Sequence, residues 1–130
     1  MKTSELTGAQ LDYWVAKAEG RKCKIDKVFA GPNHGQVTCQ VWVDPTEAIH
    51  GYNVEYFPST NYLHGGPIIE QEKIAVVPNG EGWDAYYAAS YSGPDGQVDS
   101  RLPVFEAPTY LAAAMRAYVA SVFGEQVPDE

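Results

Sequence analysis

Residues 57–70, Phe-Pro-Ser-Thr-Asn-Tyr-Leu-His-Gly-Gly-Pro-Ile-Ile-Glu, gather two hydroxyls, an amide, a histidine and a glycine pair ahead of a proline. Gly65 and Gly66 would free backbone amides for an anion, and a short helical turn opened by Pro67 would add its positive end. Ser59, Thr60 and Asn61 would supply hydrogen bonds. Tyr62, together with Tyr52, Tyr56, Phe57, Trp83, Tyr86 and Tyr87, offers flat faces on which a purine can stack. Arg116 is the only basic residue of the closing helix; its planar fork suits either an internal carboxylate, Glu70 or Glu106, or a phosphate. The ligand-binding set is therefore Ser59, Thr60, Asn61, Tyr62, Gly65, Gly66, Trp83 and Arg116. A structural reading stays open beside it, in which Ser59 or Thr60 caps a turn and the glycines permit special backbone angles.

Catalytic chemistry finds little footing. His34, His50 and His64 occur singly, and neither a G-x-S-x-G nor a cysteine–histidine signature is present. The glycine pair lacks the Gly-Lys-Ser/Thr ending of a phosphate-binding loop. Glu47 and His50 have no third partner at metal-site spacing, and Cys23 and Cys39 alone make no zinc site. The reading is of a non-enzyme with no catalytic residue, metal or cofactor, in which the two cysteines are free, small core residues. A loop histidine such as His64 is expected to be solvated.

The 130 residues carry a formal net charge of −8, unevenly placed: residues 1–40 hold six basic and four acidic side chains, residues 41–130 three basic and 13 acidic. Double-stranded nucleic acid is disfavoured, since its affinity comes from cations that displace counterions from phosphates. Arg21, Lys22, Lys24 and Lys27 form the one basic cluster, read as a solvated helix end and strand. No apolar run reaches the roughly 18 residues of a membrane span, and residues 1–10 lack the apolar core of a signal peptide, so a cytoplasmic location is expected.

The elements that must position these groups follow from periodicity. Leu11, Trp14, Val15 and Ala18 recur at helical spacing after Thr7 and Gln10, which match a capping box, and Gly20 suits the helix end. Residues 23–29 and 36–43 read as a hairpin around 31–35, and residues 44–66 as a long loop. One or two helical turns are expected over 67–72. Residues 73–77 and 83–91 form a second hairpin, followed by an exposed loop at 92–100 and a short extended piece between Pro103 and Pro108. Leu111, Met115, Tyr118, Val119 and Val122 stripe a last helix ended by Gly124. This predicts a single α+β domain over 1–124, with one antiparallel sheet of four to five strands and two terminal helices, and an acidic flexible tail at 125–130. Surplus aromatic surface and the alanine-rich last helix predict a homo-oligomer.

The opening KTSELTGAQLDYWVAKAEG, the central FPSTNYLHGGPIIEQEKI, the GWDAYY segment and the closing APTYLAAAMRAYVASVFGEQV together resemble the NinX-like family of phage and prophage proteins. The resemblance covers both ends and the middle, over half the chain. Pro58, Ser59, Thr60, Gly65, Gly66, Pro67, Ile69, Trp83, Ala85, Arg116 and Gly124 match its pattern, while 44–56 and 92–104 look like inserts relative to shorter relatives. It implies a small phage-encoded protein acting in the cytoplasm of the infected bacterium, and it assigns no catalytic residue. The resulting expectation is a phage accessory or counter-defence protein that binds and sequesters a small polar, nucleotide-derived immune signal without catalysis. An acidic inhibitor that binds a host protein is the alternative, and a weak nucleotide hydrolase using His64 or Glu70 a third.

Overall fold

The computed structural model describes residues 1–43, 51–87, 90–92, 97–99 and 103–128. The remaining parts of the insert-like segments and of the tail lie outside them.

The first helix, α1 (Gly8–Ala18), starts where its apolar spacing begins. Gly8 has a φ of 56°, a left-handed entry that only glycine adopts cheaply. With the chain entering in this way, the Thr7 side chain makes no capping hydrogen bond, so the expected capping box is absent. The start is held instead by Leu6 and Leu11, which flank the first turn and are both fully buried. At the other end Gly20 is left-handed, and Arg21 N–H and Gly20 N–H bond back to the Ala16 and Lys17 carbonyls at 3.0 Å each, satisfying the last turn.

β1 (Cys23–Lys27) and β2 (Val37–Val43) form the expected antiparallel hairpin, with Ile25 opposite Cys39 and Cys23 opposite Val41. Cys39 and Val41 face α1 and are buried; Thr38, Gln40 and Trp42 alternate to the outer face. β3 (Tyr52–Glu55) pairs along the far side of β2. This strand falls where a loop was predicted, because four residues between glycine and proline show no usable alternation.

β4 (Ala75–Pro78), β5 (Trp83–Tyr86) and β8 (Phe105–Ala107) make a second three-stranded antiparallel sheet in the order β4-β5-β8. Between them β6 (Ser90–Ser92) and β7 (Gln97–Asp99) form a two-stranded ribbon, where the sequence suggested the end of a strand and a loop. The expected single sheet is thus corrected to two, each attached to its own helix: α1 lies on β1 and β2, while α3 (Tyr110–Phe123) lies on β4, β5 and β8. The two helices pack on each other, with Trp14 edge-on to Phe123 at 5.2 Å. Ala113, Ala114, Ala117 and Ala120 are all buried within the chain, so this alanine face is used internally.

The largest departure is α2 (Tyr62–Glu72), which starts five residues before Pro67. Asn61 is its N-cap, its side chain accepting from Leu63 N–H at 2.8 Å. Pro67, inside the helix, has no N–H to donate to the Leu63 carbonyl, and Gly66 immediately before it lacks the Cβ that would crowd the ring.

The chain ends meet. After a short 3-10 turn (Thr3–Glu5), the segment is tied to the residues beyond α3: Thr3 N–H donates to the Glu125 carbonyl at 2.9 Å, Thr3 Oγ1 to the Gly124 carbonyl at 2.7 Å, and Val127 N–H to the Met1 carbonyl at 3.0 Å. Lys2 and Gln126 form a β-bridge and Val127 is buried. Residues 125–128 are therefore a strap and not the flexible tail read from their acidity.

Helix α3 shows what a formed cap looks like: Thr109 Oγ1 accepts from Ala112 N–H at 3.2 Å. Thr109→Ala is expected to cost about 1 kcal/mol in chemical denaturation and Thr7→Ala only a few tenths. Equal losses at the two sites would contradict the uncapped start of α1.

Candidate functional site

The eight residues singled out by sequence do not converge. Ser59 is buried, and its N–H donates to Asp12 Oδ1 on α1 at 2.8 Å. Thr60 is exposed and Asn61 caps α2. Tyr62 is 62% exposed, its ring lying where a Gly66 side chain would be. Gly65 and Gly66 are buried inside α2, and the Gly65 N–H is already bonded to the Asn61 carbonyl at 2.9 Å. A methyl at Gly65 would meet the Pro58 carbonyl and come within 2.9 Å of Leu111 Cδ2, so this glycine serves the approach of α2 to its neighbours. Trp83 packs edge-on to Tyr110 at 5.7 Å.

Arg116 stands apart. It projects from the buried face of α3, only 8% exposed, with Nε donating to the Leu6 carbonyl at 2.9 Å and Nη1 to the Glu106 carbonyl at 2.5 Å. Neither expected carboxylate partner is engaged; among the described residues, both of its hydrogen bonds go to backbone oxygens. Burial lowers its pKa from the ordinary arginine value. A desolvated cation normally sits on a counter-charge, because carbonyl dipoles replace only part of its hydration.

Two cavities share this guanidinium as a wall. One, of about 590 Å³, lies between the β4–β5 turn and the β8–α3 junction, lined by Asn79, Gly82, Ala107 and Pro108 among others. The Asn79 side chain sets that turn by accepting from Gly82 N–H at 2.7 Å and donating to Asp84 at 2.8 Å. The second, of about 630 Å³, is lined by Lys2, Ser4, Phe105 and Gln126 along the strap between the chain ends. Glu106 borders both, and Glu81 and Glu125 border one each.

A family model described as Bacteriophage P22, NinX matches residues 2–122. The chain belongs to this NinX family. A comparison with the curated proteins found no match. The matched span of this NinX-family chain includes all three helices except the last residue of α3, both three-stranded sheets and Arg116.

Elsewhere in the NinX-family chain, His64 departs from the solvated loop residue expected. It lies in the first turn of α2 between the Tyr56 and Phe57 rings, 5.0 Å from each, and Nδ1 accepts from Phe57 N–H at 3.1 Å. Its pKa is lowered, chiefly by burial and then by the Arg21 charge; the ring is held neutral with its proton on Nε2. Tyr56 in turn donates to Glu19 and carries Arg21 over its face at 4.9 Å. Cys39 is a free, buried thiol, and burial first, then the nearby Cys23 and Asp12, push its pKa up to about 12. Among the described residues no three His, Cys, Asp or Glu side chains group to hold a metal, and no helix is long and apolar enough to cross a membrane.

Asp12 is the buried polar residue that sequence reasoning missed. It sits one turn before Val15 and Ala16, both fully buried, so helical spacing alone places it on the core face.

Proposed function

We propose that the protein is a phage accessory factor that binds and withholds a small, phosphate-bearing, nucleotide-derived signalling molecule in the infected cell, without turning it over. The observation that carries this reading is Arg116: a residue only 8% exposed, without a carboxylate partner among the described residues, at the wall of two cavities. Both volumes lie in the range of small-molecule sites. An anion there would supply a counter-charge that the described residues do not.

The test is a panel of cyclic nucleotides and ADP-ribose derivatives read by thermal shift and calorimetry. A ligand at about 100 times its Kd should stabilise the protein by about 2.7 kcal/mol. Arg116→Lys keeps the charge but not the fork and should weaken binding, and Arg116→Met should abolish it. Absence of any shift across the panel defeats the proposal. The acidic rim of Glu81, Glu106 and Glu125 favours a second reading, an inhibitor that covers a basic host surface. Salt-sensitive recovery of one stoichiometric host protein, unchanged by Arg116→Lys, would support it in place of the first.

A further inference from the structure

The outer face of the β1-β2-β3 sheet carries a different set of groups. Trp42 is 39% exposed. Its N–H bonds to the Lys22 carbonyl at 2.9 Å and it pairs with Asn53 across β3, so Lys22, Trp42 and Asn53 form one row across the sheet. The next row is Lys24, Gln40 and Glu55, since Lys24 pairs with Gln40 and Gln40 with Glu55. Lys22, Lys24, Trp42 and Asn53 line a shallow cavity of about 430 Å³. The Trp42 ring is seated by Gly51, where any side chain would overlap it.

We propose that this row binds a nucleotide unit: the base stacks on the Trp42 indole, the Asn53 amide meets the base edge, and Lys22 and Lys24 hold the phosphate. The residue types fit that ligand in three independent ways. An indole held rigid and part-exposed beside cations is a stacking platform. An amide has the donor–acceptor pair that a base edge requires. The two lysines belong to the basic cluster of a chain otherwise strongly acidic, and among the described residues Lys24 makes an exposed pair with Asp26 at 3.2 Å, which a phosphate can displace at little cost. The unit can come from a single strand or from a free nucleotide. It does not depend on Arg116, which lies against the other sheet.

Full-length protein is titrated with a fluorescein-labelled oligothymidylate of about a dozen nucleotides, followed by anisotropy, and with adenosine monophosphate, followed by tryptophan quenching. Binding of the oligonucleotide identifies a single strand as the source, and binding of the mononucleotide alone identifies the free form. Either should weaken about tenfold or more in Trp42→Leu, in line with the loss of one stacked base. A Lys22→Gln/Lys24→Gln variant, which leaves Trp42 in place, should also weaken oligonucleotide binding and flatten its log–log salt slope by about 1.4. Arg116→Lys should leave all of this unchanged. Circular dichroism checks that each variant is folded. Failure to bind either probe, or binding unaltered in both variants, overturns the assignment.

Discussion

Replacing Gly65 with alanine is expected to destabilise the protein by about 3 kcal/mol, the upper end for overpacking a filled site. The usual rule points the other way: inside a helix, glycine to alanine gains up to about 1 kcal/mol. Here the added methyl would run into a backbone oxygen, that of Pro58, as well as Leu111 Cδ2. Pro58 is fully buried, and the next residue is bonded to Asp12. The obstacle therefore cannot rotate away as a side chain would. Gly66 is the internal control. The atoms a methyl there would first meet are in the ring of Tyr62, which is largely exposed and can swing aside, so Gly66→Ala should be neutral or mildly stabilising. Urea unfolding of the two variants measures the contrast. If both lose stability equally, or neither does, the close approach of α2 to the 57–60 turn and α3 is wrong.

The second large effect is a pH dependence owed to Asp12. Its pKa is pushed up from 3.8 to about 6, chiefly by burial, with its hydrogen bonds from Ser59 opposing. Geometrically the Ser59 N–H is the firm contact; the hydroxyl has no partner in normal hydrogen-bond geometry. The folded protein therefore holds the proton where the unfolded chain has released it. This contribution to stability is fully present below the unfolded value of 3.8 and is lost as pH rises through about 6. A pKa rise of that size corresponds to about 3 kcal/mol. Asp12→Asn keeps an acceptor for Ser59 N–H and cannot ionise. Relative to this variant, wild type should lose about 2.4 kcal/mol between pH ~4 and ~7.5. A pH-independent difference between the two proteins would show that Asp12 is solvated or paired.

Sequence periodicity was sufficient for α1, α3 and the first hairpin, where apolar spacing, a glycine stop or turn residues agree. It failed where the deciding interaction is distant. The Tyr62–Glu72 helix was hidden by Gly65, Gly66 and Pro67, three residues of low helix propensity in a row. They are accommodated because Asn61 caps the start and the glycines let the turn nestle against Pro58 and Leu111. Four-residue strands such as Tyr52–Glu55 exist only by pairing, so their own residues carry almost no signal. The site was partly legible for a related reason. Arg116 stands among alanines and methionine at core spacing, which marks it as buried, but its partners are carbonyls of Leu6 and Glu106. Backbone partners have no residue type by which to find them. The glycines of the 57–70 stretch are conspicuous as chemistry, yet they and the Ser59 N–H are engaged in folding a corner.

The strap between Met1–Thr3 and Gly124–Val127 also bears on how the protein is made. Leu6 and Leu11 are fully enclosed in a core that includes Met115, Val119 and Val127, and the Leu6 carbonyl waits for Arg116. The core around α1 is thus completed only by α3, through a contact that spans 110 residues between Leu6 and Arg116. Contacts of such long sequence separation are slow to form. Until the seam between the two helices closes, the apolar side of α1 that meets α3 stays uncovered, and this is the stage at which the protein is most exposed to aggregation and to chaperones.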